Sequence, residues 1–323
     1  MRKHHAMNII FFGSGEFGLP TLLRLAAEHR VVAVVSQPDR PSGRGGVLTP
    51  TPISLWAAQH LPSVPLIRPE RVSEPGVLEQ IRSIAGEHQA VFVVIAFGQK
   101  MPSSLLDGIF AINLHASLLP RWRGAAPINA AILAGDHVTG NSVITLADRM
   151  DAGRILGQTK QNISDEMTAG ELHDILSKSG PDLVMEVLGK HAGRTLEPTL
   201  QDESLVTKAA KLSRKDGVLD FTLDAELCRR KIHGLTPWPG VTVWLSGEAI
   251  KLLRVSVAGI AQRPPPGVPF GTLMDSESGI ALCGNGTLLQ IHELQPAGKR
   301  PMTWQAFARG RQLAAGAIFR AVA

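Results

Sequence analysis

Cysteine is scarce in this chain. Only Cys228 and Cys283 occur in 323 residues, and they form no CxxC pair. Neither a disulfide framework nor a thiolate metal knuckle is available, and such usage fits a reducing compartment, so a cytoplasmic protein is expected. Long apolar runs are also missing. The longest, Ala90 to Phe97, falls far short of the roughly 20 residues a membrane helix needs. The basic start Met1-Arg2-Lys3-His4-His5 is followed by no long apolar segment before Gly13. Met1–Met7 therefore reads as a short extension rather than a secretory signal, with His4 and His5 part of that tail and not metal ligands. No internal repeat is present, and low complexity is confined to Pro264-Pro265-Pro266.

Charged residues make up only 19% of the chain against a hydrophobic share of 44%, a balance that supports a sizeable core and argues against disorder. The length suggests two domains or one large one. The sparse charge is unevenly placed. From Lys208 to the end there are 15 Lys and Arg against 8 Asp and Glu, whereas residues 1–207 hold 18 against 20. The basic excess thus sits in the C-terminal third, which suits a polyanionic partner there, although a solvated basic surface explains it equally well.

The first half alternates strand-like and helix-like segments. Asn8–Phe12, Val31–Val35, Ala90–Ile95 and Ile109–Leu114 are apolar runs of the kind buried on both faces of a parallel sheet. Pro20–Glu28 carries helical spacing through Leu22, Leu23 and Leu25. This is βαβ patterning and predicts an α/β, Rossmann-like parallel sheet with helices on both faces. Between the second and third strands, residues 36–52 are rich in Pro and Gly and read as a long loop without regular structure, a feature that is often functional. Val143–Leu146 and Ile155–Lys160 flank a turn over Asp148–Gly153. Thr168-x-x-Glu171 is a capping box opening a helix that Gly180-Pro181 is expected to break or kink. Residues 195–213 are polar and weakly patterned, a candidate linker. Beyond them, short β-rich runs at Val241–Leu245, Ile250–Val257, Gly279–Cys283 and Leu288–Leu294 alternate with turns, which predicts a small antiparallel barrel or sandwich. A final helix is expected over Thr303–Ala315.

Gly13-Ser14-Gly15-Glu16-Phe17-Gly18 is a literal G-x-G-x-x-G between a strand and a helix, with Asp39 some twenty residues on. It satisfies the dinucleotide fingerprint formally. Two features weigh against that reading. Asp39 follows Gln37-Pro38, past the strand end, and Pro20 suits a helix first turn better than a pyrophosphate cradle. The plainer reading is a tight strand-to-helix turn.

The denser signal is Ile112-Asn113-Leu114-His115 and the segment after it. Residues two apart in a strand share a face, so Asn113 and His115 project together from the carboxyl end of a parallel strand, the edge where open α/β sheets bind ligands. An amide donor beside an imidazole suits acyl transfer, where an oxyanion is held and protons are moved. A strand-end histidine is also often merely structural.

The run from Asn113 to Pro127, with Ser117-Leu118-Leu119-Pro120-Arg121-Trp122-Arg123-Gly124-Ala125-Ala126-Pro127 at its heart, resembles the signature of the tetrahydrofolate-dependent formyltransferases. The likeness continues in the family's order. It includes Ser36-Gln37-Pro38-Asp39-Arg40-Pro41 through Gly43-Arg44-Gly45, Ala96-Phe97-Gly98-Gln99, Met150-Asp151-Ala152-Gly153, Pro237-Trp238-Pro239-Gly240 and Gln295-Pro296-Ala297-Gly298-Lys299. It covers essentially the whole chain from about Asn8.

The resemblance implies a formyl transfer from 10-formyltetrahydrofolate to the α-amino group of initiator methionyl-tRNA, by a monomer needing no metal and no membrane. It implies Asn113, His115 and Asp151 as catalytic residues. Ser117, Leu118, Leu119 and Pro120 would line the folate site, and Ala96, Phe97, Gly98 and Gln99 would hold the pterin. Arg40 and Arg44 belong to the loop expected to reach the tRNA acceptor end. The implied domains are 1–194 for catalysis, 195–213 as linker and 214–323 as a small β-barrel, similar to an OB fold, that helps bind tRNA. Three departures stand out: Phe97 for a common Tyr, Gly46-Val47 where many members are basic, and Phe221 for a usual Trp.

Within the same chemistry, transfer to an amino sugar nucleotide or hydrolysis of formyltetrahydrofolate stay open. The Arg121–Pro127 run and the basic end favour tRNA. An NAD-dependent dehydrogenase rests on Gly13–Gly18 alone. A non-catalytic RNA-binding module leaves Asn113, His115 and Asp151 unexplained.

Overall fold

Runs of β-branched residues need apolar cover on both faces, and the strands of the first half receive it. The structure, a computed structural model, describes residues 6–42, 45–261, 267–311 and 313–322. Met1–His5, Arg44 and Pro264–Pro266, on which some of the expectations fall, lie outside the described residues. The described chain divides into two compact units. The first comprises residues 1–124, 139–161 and 173–208, and the second residues 125–138, 162–172 and 209–323.

The first unit is built on a seven-stranded sheet. Its order is Ile155–Asn162, Val138–Thr145, Ala111–His115, Val91–Ile95, Asn8–Gly13, Arg30–Val35 and Leu66–Ile67. Asn8–Gly13 lies in parallel register between its neighbours, with Ile9 opposite both Val31 and Val91. Parallel pairing extends to Ala111–His115 on one side and Leu66–Ile67 on the other. Val138–Thr145 instead runs antiparallel to Ala111–His115, with His115 opposite Ser142. The sheet is therefore mixed and not wholly parallel, because apolar runs report that a strand exists and not its direction. Ile10, Phe12, Val32, Ile81, Phe92 and Phe97 pack into one core cluster, each buried side chain contributing roughly 1.5–3 kcal/mol.

The helix Leu19–Glu28 takes Pro20 in its first turn, where the missing N–H costs nothing. The stretch 36–52 is not structureless, for Arg40–Ser42 and Val47–Thr49 form a short antiparallel hairpin. The capping box is present: Glu171 Oε2 accepts from Thr168 N at 2.8 Å and Thr168 Oγ1 accepts from Glu171 N at 3.3 Å. The helix Ala169–Ala192 then runs unbroken through Pro181. Gly180 is required for close packing, since a Cβ there would meet Leu114 Cδ2 at 2.6 Å. Leu114 thus faces this helix, which leaves Asn113 and His115 on the opposite face of their strand.

The second unit is an antiparallel sheet in the order Leu273–Asp275, Ile280–Leu282, Thr287–Pro296, Glu248–Ile260, Val241–Leu245 and Arg320–Ala321. The long pair Glu248–Ile260 and Thr287–Pro296 slips register near Leu252, Arg254 and Val257, and such bulges bend and curl a sheet. The helix Ala225–Gly234, capped by Asp224, supplies buried Cys228 and Ile232 to a core that also holds Phe221, Trp304, Phe307 and Phe319. The last helix stops at Arg309, short of the expected Ala315, with Gly310 at its C-cap. Gly310 was the legible stop signal.

Candidate active site

Three parallel strands of the first unit deliver a motif at their carboxyl ends. Gly13 ends Asn8–Gly13, Ala96 follows Val91–Ile95, and His115 ends Ala111–His115. The glycines of the first motif are explained by packing. A Cβ on Gly13 would lie 2.9 Å from the Ile95 carbonyl oxygen, and one on Gly18 would lie 3.3 Å from the Ile95 side chain. Asp39 receives two hydrogen bonds from Arg68, at 2.9 and 3.1 Å. The carboxylate that a dinucleotide reading assigns to a ribose is thus already engaged with a guanidinium, and the motif is the tight turn.

Asn113 and His115 sit as their strand spacing requires. Asn113 is half-buried, and no hydrogen bond to its side-chain amide occurs among the described residues. His115 is buried, hydrogen-bonded at one ring nitrogen and facing a carboxylate with the other. Nε2 lies 2.9 Å from the Trp122 carbonyl oxygen, and Nδ1 lies 3.7 Å from Asp151 Oδ2. A carbonyl only accepts, so Nε2 carries hydrogen and donates it. In the neutral ring Nδ1 is then the nitrogen with a free lone pair, and it faces a carboxylate.

Asp151 is held in turn. Its Oδ2 accepts the Gly124 amide hydrogen at 2.9 Å. Its φ is +54°, and that of Trp122 is +64°. Left-handed backbone at non-glycine residues costs on the order of 1–3 kcal/mol and persists where surrounding contacts over-determine it. Those contacts come from residues 201–207. Gln201 Nε2 donates to the carbonyls of Asp151 and Gly153, both at 2.7 Å. Thr207 Oγ1 accepts the Trp122 amide hydrogen at 2.9 Å, and Thr207 O accepts that of Arg123 at 2.9 Å. Arg123 donates to Gln201 Oε1 and to Glu203, both at 2.9 Å. That hydrogen bond is the main reason the Glu203 carboxyl is held below the usual carboxylate range, with Arg149 adding to it. Gly153 completes the turn, because a Cβ there would fall 1.6 Å from the Thr145 carbonyl oxygen.

The segment Ser117–Pro120 follows the strand directly and is supported from beneath. Ser142, fully buried, donates its hydroxyl hydrogen to Ser117 O at 2.6 Å and accepts from Leu119 N at 3.1 Å. Gln158 Nε2 donates to Ser142 Oγ at 2.8 Å and to Leu119 O at 3.0 Å. Ser117 spends its own hydroxyl on Arg121 O at 2.6 Å. Leu119 is buried, while Leu118 and Pro120 are partly exposed.

In the neighbouring loop, Ala96 and Gly98 have φ of +47° and +78°. Phe97 is buried against Phe12, with ring centroids 5.6 Å apart, and its carbonyl accepts from Gln37 Nε2 at 2.9 Å. Gln99 bridges Val72 N at 2.6 Å and Pro69 O at 3.1 Å. The side chains of Phe97 and Gln99 therefore build the loop, and what the loop presents is backbone.

Arg40 lies on the short hairpin, exposed and paired with Glu70 at 2.5 Å. Among the described residues no group of three or more His, Cys, Asp or Glu is arranged to hold a metal ion, and no helix is long and apolar enough to cross a membrane. Sequence reasoning missed Trp122 O, Ser142, Gln158, Gln201 and Thr207. Each acts through a single long-range hydrogen bond or a few, which no local pattern announces.

Comparison with known proteins places these residues in context. The sequence family described as formyl transferase matches residues 7–188, and its C-terminal domain family matches residues 211–312. A methionyl-tRNA formyltransferase of Geotalea daltonii is 38% identical over 314 residues, covering 96% of this chain and 97% of that relative. The one from Thiobacillus denitrificans is 39% identical over 317 residues, covering 96% and 98%. Among solved structures, the sugar 3N-formyl transferase WlaRD, in the presence of dTDP and 5-N-formyl-THF, aligns with a TM-score of 0.65 at 13% identity, covering 92% of this chain and 100% of that one. HypX from Aquifex aeolicus in complex with tetrahydrofolic acid aligns with a TM-score of 0.59 at 15% identity, covering 94% of this chain and 47% of that one. At such identities the two structures speak to the fold alone.

Proposed function

Since the chain belongs to the formyl transferase family, we propose that it moves the formyl group of 10-formyltetrahydrofolate to the α-amino group of initiator methionyl-tRNA. The observation that carries this reading is the end-to-end likeness to relatives bearing that activity, 96% of this chain against 97% of theirs. The protein is an enzyme whose formyl donor is a folate cosubstrate.

In this reading the chemistry belongs to Asn113, His115 and Asp151. An α-amino group has a pKa near ~8, so a useful fraction is neutral at neutral pH and no strong base is needed. The amine lone pair attacks the formyl carbon, and the carbonyl π pair moves onto oxygen. Asn113, whose amide is otherwise without a partner among the described residues, donates to that oxyanion. Such a donor typically contributes about 3 kcal/mol. His115 Nδ1 takes the proton that the new C–N bond releases from the amine. The intermediate then collapses, the bond from carbon to N10 breaks, and the imidazolium returns the proton to N10. Asp151 steadies the positive charge in between. General acid–base help of this kind is worth roughly 10²–10⁴-fold.

The donor would lie along Ser117–Pro120 and the backbone of Ala96–Gln99. Arg40 and Arg44 would reach the acceptor tRNA, Arg40 by exchanging its partner Glu70, with the basic domain from residue 214 contributing to tRNA binding. We take the protein to act as a monomer in the cytoplasm. The reading is tested by His115→Ala. Formyl transfer should fall at least about 100-fold with tRNA binding preserved, and an unchanged rate would overturn the assignment.

A further inference from the structure

Gln201 lies in the polar stretch 195–213, where no motif marks it. Its amide is nevertheless spent entirely on the candidate site. Nε2 donates to the carbonyls of Asp151 and Gly153 at 2.7 Å each, and Oε1 accepts from Arg123 Nε at 2.9 Å. The orientation of the amide is unambiguous, because carbonyls only accept and a guanidinium only donates. Asp151 takes a left-handed φ of +54°, a conformation that needs external restraint in a residue other than glycine. Gln201 supplies that restraint on the main chain of Asp151, while the Gly124 amide restrains its carboxylate.

Arg123, the third partner of Gln201, sits between two residues that handle the pair. Trp122 bonds His115 Nε2 through its carbonyl, and Gly124 bonds Asp151 Oδ2 through its amide. Gln201 therefore ties the main chain carrying Asp151 to the segment holding His115. We propose that Gln201 is a positioning residue for Asp151, setting the Asp151–His115 separation on which proton transfer depends. The proposal rests on the assignment of Asp151 and His115 to that transfer.

Gln201→Glu separates positioning from plain stability. It keeps an acceptor for Arg123, and as a carboxylate it offers no hydrogen to the two carbonyls. Steady-state formylation should show kcat lowered by about tenfold or more, with KM for donor and acceptor within about twofold, because misplacement near the chemistry affects the reacting geometry and not ground-state binding. Gln201→Ala should act in the same direction and carries the test if the glutamate variant does not fold. A double-mutant cycle with Asp151→Ala, read by single-turnover formylation, completes it. If Gln201 acts through Asp151, its substitution should cost less than about twofold in the Asp151→Ala background. A parental kcat in both Gln201 variants, a loss confined to KM, or the same fold-loss in both backgrounds would overturn the proposal. A parental rate in Asp151→Ala alone would overturn the assignment of Asp151 itself, and it is visible without any change at Gln201.

Discussion

His115 Nδ1 faces Asp151 Oδ2 at 3.7 Å, and the same carboxylate oxygen accepts the Gly124 amide hydrogen at 2.9 Å. The first distance is too long for a hydrogen bond and short enough for a charge pair. The second fixes the carboxylate, so it stays in place whether or not the imidazole is protonated. With Nε2 committed to the Trp122 carbonyl at 2.9 Å, Nδ1 is the ring nitrogen that faces the carboxylate, and the proposed function uses it to exchange a proton. In the proposed reaction the carboxylate serves as a preset counter-charge beside that nitrogen.

Asn113→Ala should lower formyl transfer by about two orders of magnitude, the usual cost of one oxyanion donor. Thermal stability should hardly move, because no described residue bonds to the Asn113 amide. Single-turnover kinetics beside a melting curve checks both. A large loss of stability with little loss of rate would make Asn113 structural.

How much of this was legible in the sequence differs from residue to residue. Asn113 and His115 share a face because strand periodicity is a backbone property, readable from two positions. Asp151 had no such pattern and was reached through the Met150–Gly153 motif of a family. The order of residues 13–18 fitted a dinucleotide fingerprint, yet Gly13 and Gly18 serve close packing on Ile95. A glycine spacing records that space is short, not what fills it. Pro181 looked like a breaker, but Ala169–Ala192 stays one helix, since packing outweighs a single lost donor. Gln201, Ser142 and Gln158 were invisible. Each bonds backbone far away in sequence, and a lone polar residue in a loop or strand carries no sign of such a partner.

Ser142→Ala should raise KM for the formyl donor more than it lowers kcat. Ser142 Oγ joins Ser117 O, Leu119 N and Gln158 Nε2 at 2.6, 3.1 and 2.8 Å, so its loss removes a partner from the buried Ser117 carbonyl and Leu119 amide. Such vacancies cost roughly 1–3 kcal/mol each. A rise of about tenfold in donor KM, with acceptor KM unchanged, is expected if Ser117–Pro120 lines the folate site. An effect on the acceptor alone would assign that segment elsewhere.

His233 predicts a pH dependence in the second unit. Burial is the main cause that pushes its pKa down to about 4, with the charges of Arg229 and Arg254 adding, and the Asp165 carbonyl and Glu171 opposing. Val255 N donates to Nε2 at 3.1 Å, and Nδ1 lies 3.1 Å from Asp165 O, so both nitrogens are committed in the neutral ring. The unfolded chain, with a histidine pKa near ~6.5, binds more protons than the folded one between the two values. Stability from this group is therefore complete above about pH 6.5 and is lost as pH falls to about 4, a change of about 3 kcal/mol. Melting temperatures followed across that range should fall, and His233→Gln should flatten the fall. An equally steep fall in the variant would assign the dependence to other groups.

The proposed function requires that the formyl group of 10-formyltetrahydrofolate end on the amine of methionyl-tRNA. Incubating the protein with a formyl-labelled donor, methionyl-tRNA and an amino sugar nucleotide in one vessel, and locating the label, tests it most directly. Label on the methionyl amine, with none on the sugar and no free formate beyond the background, is the predicted result. Label on the sugar nucleotide, or its release as formate while the tRNA stays unlabelled, would overturn the proposed function.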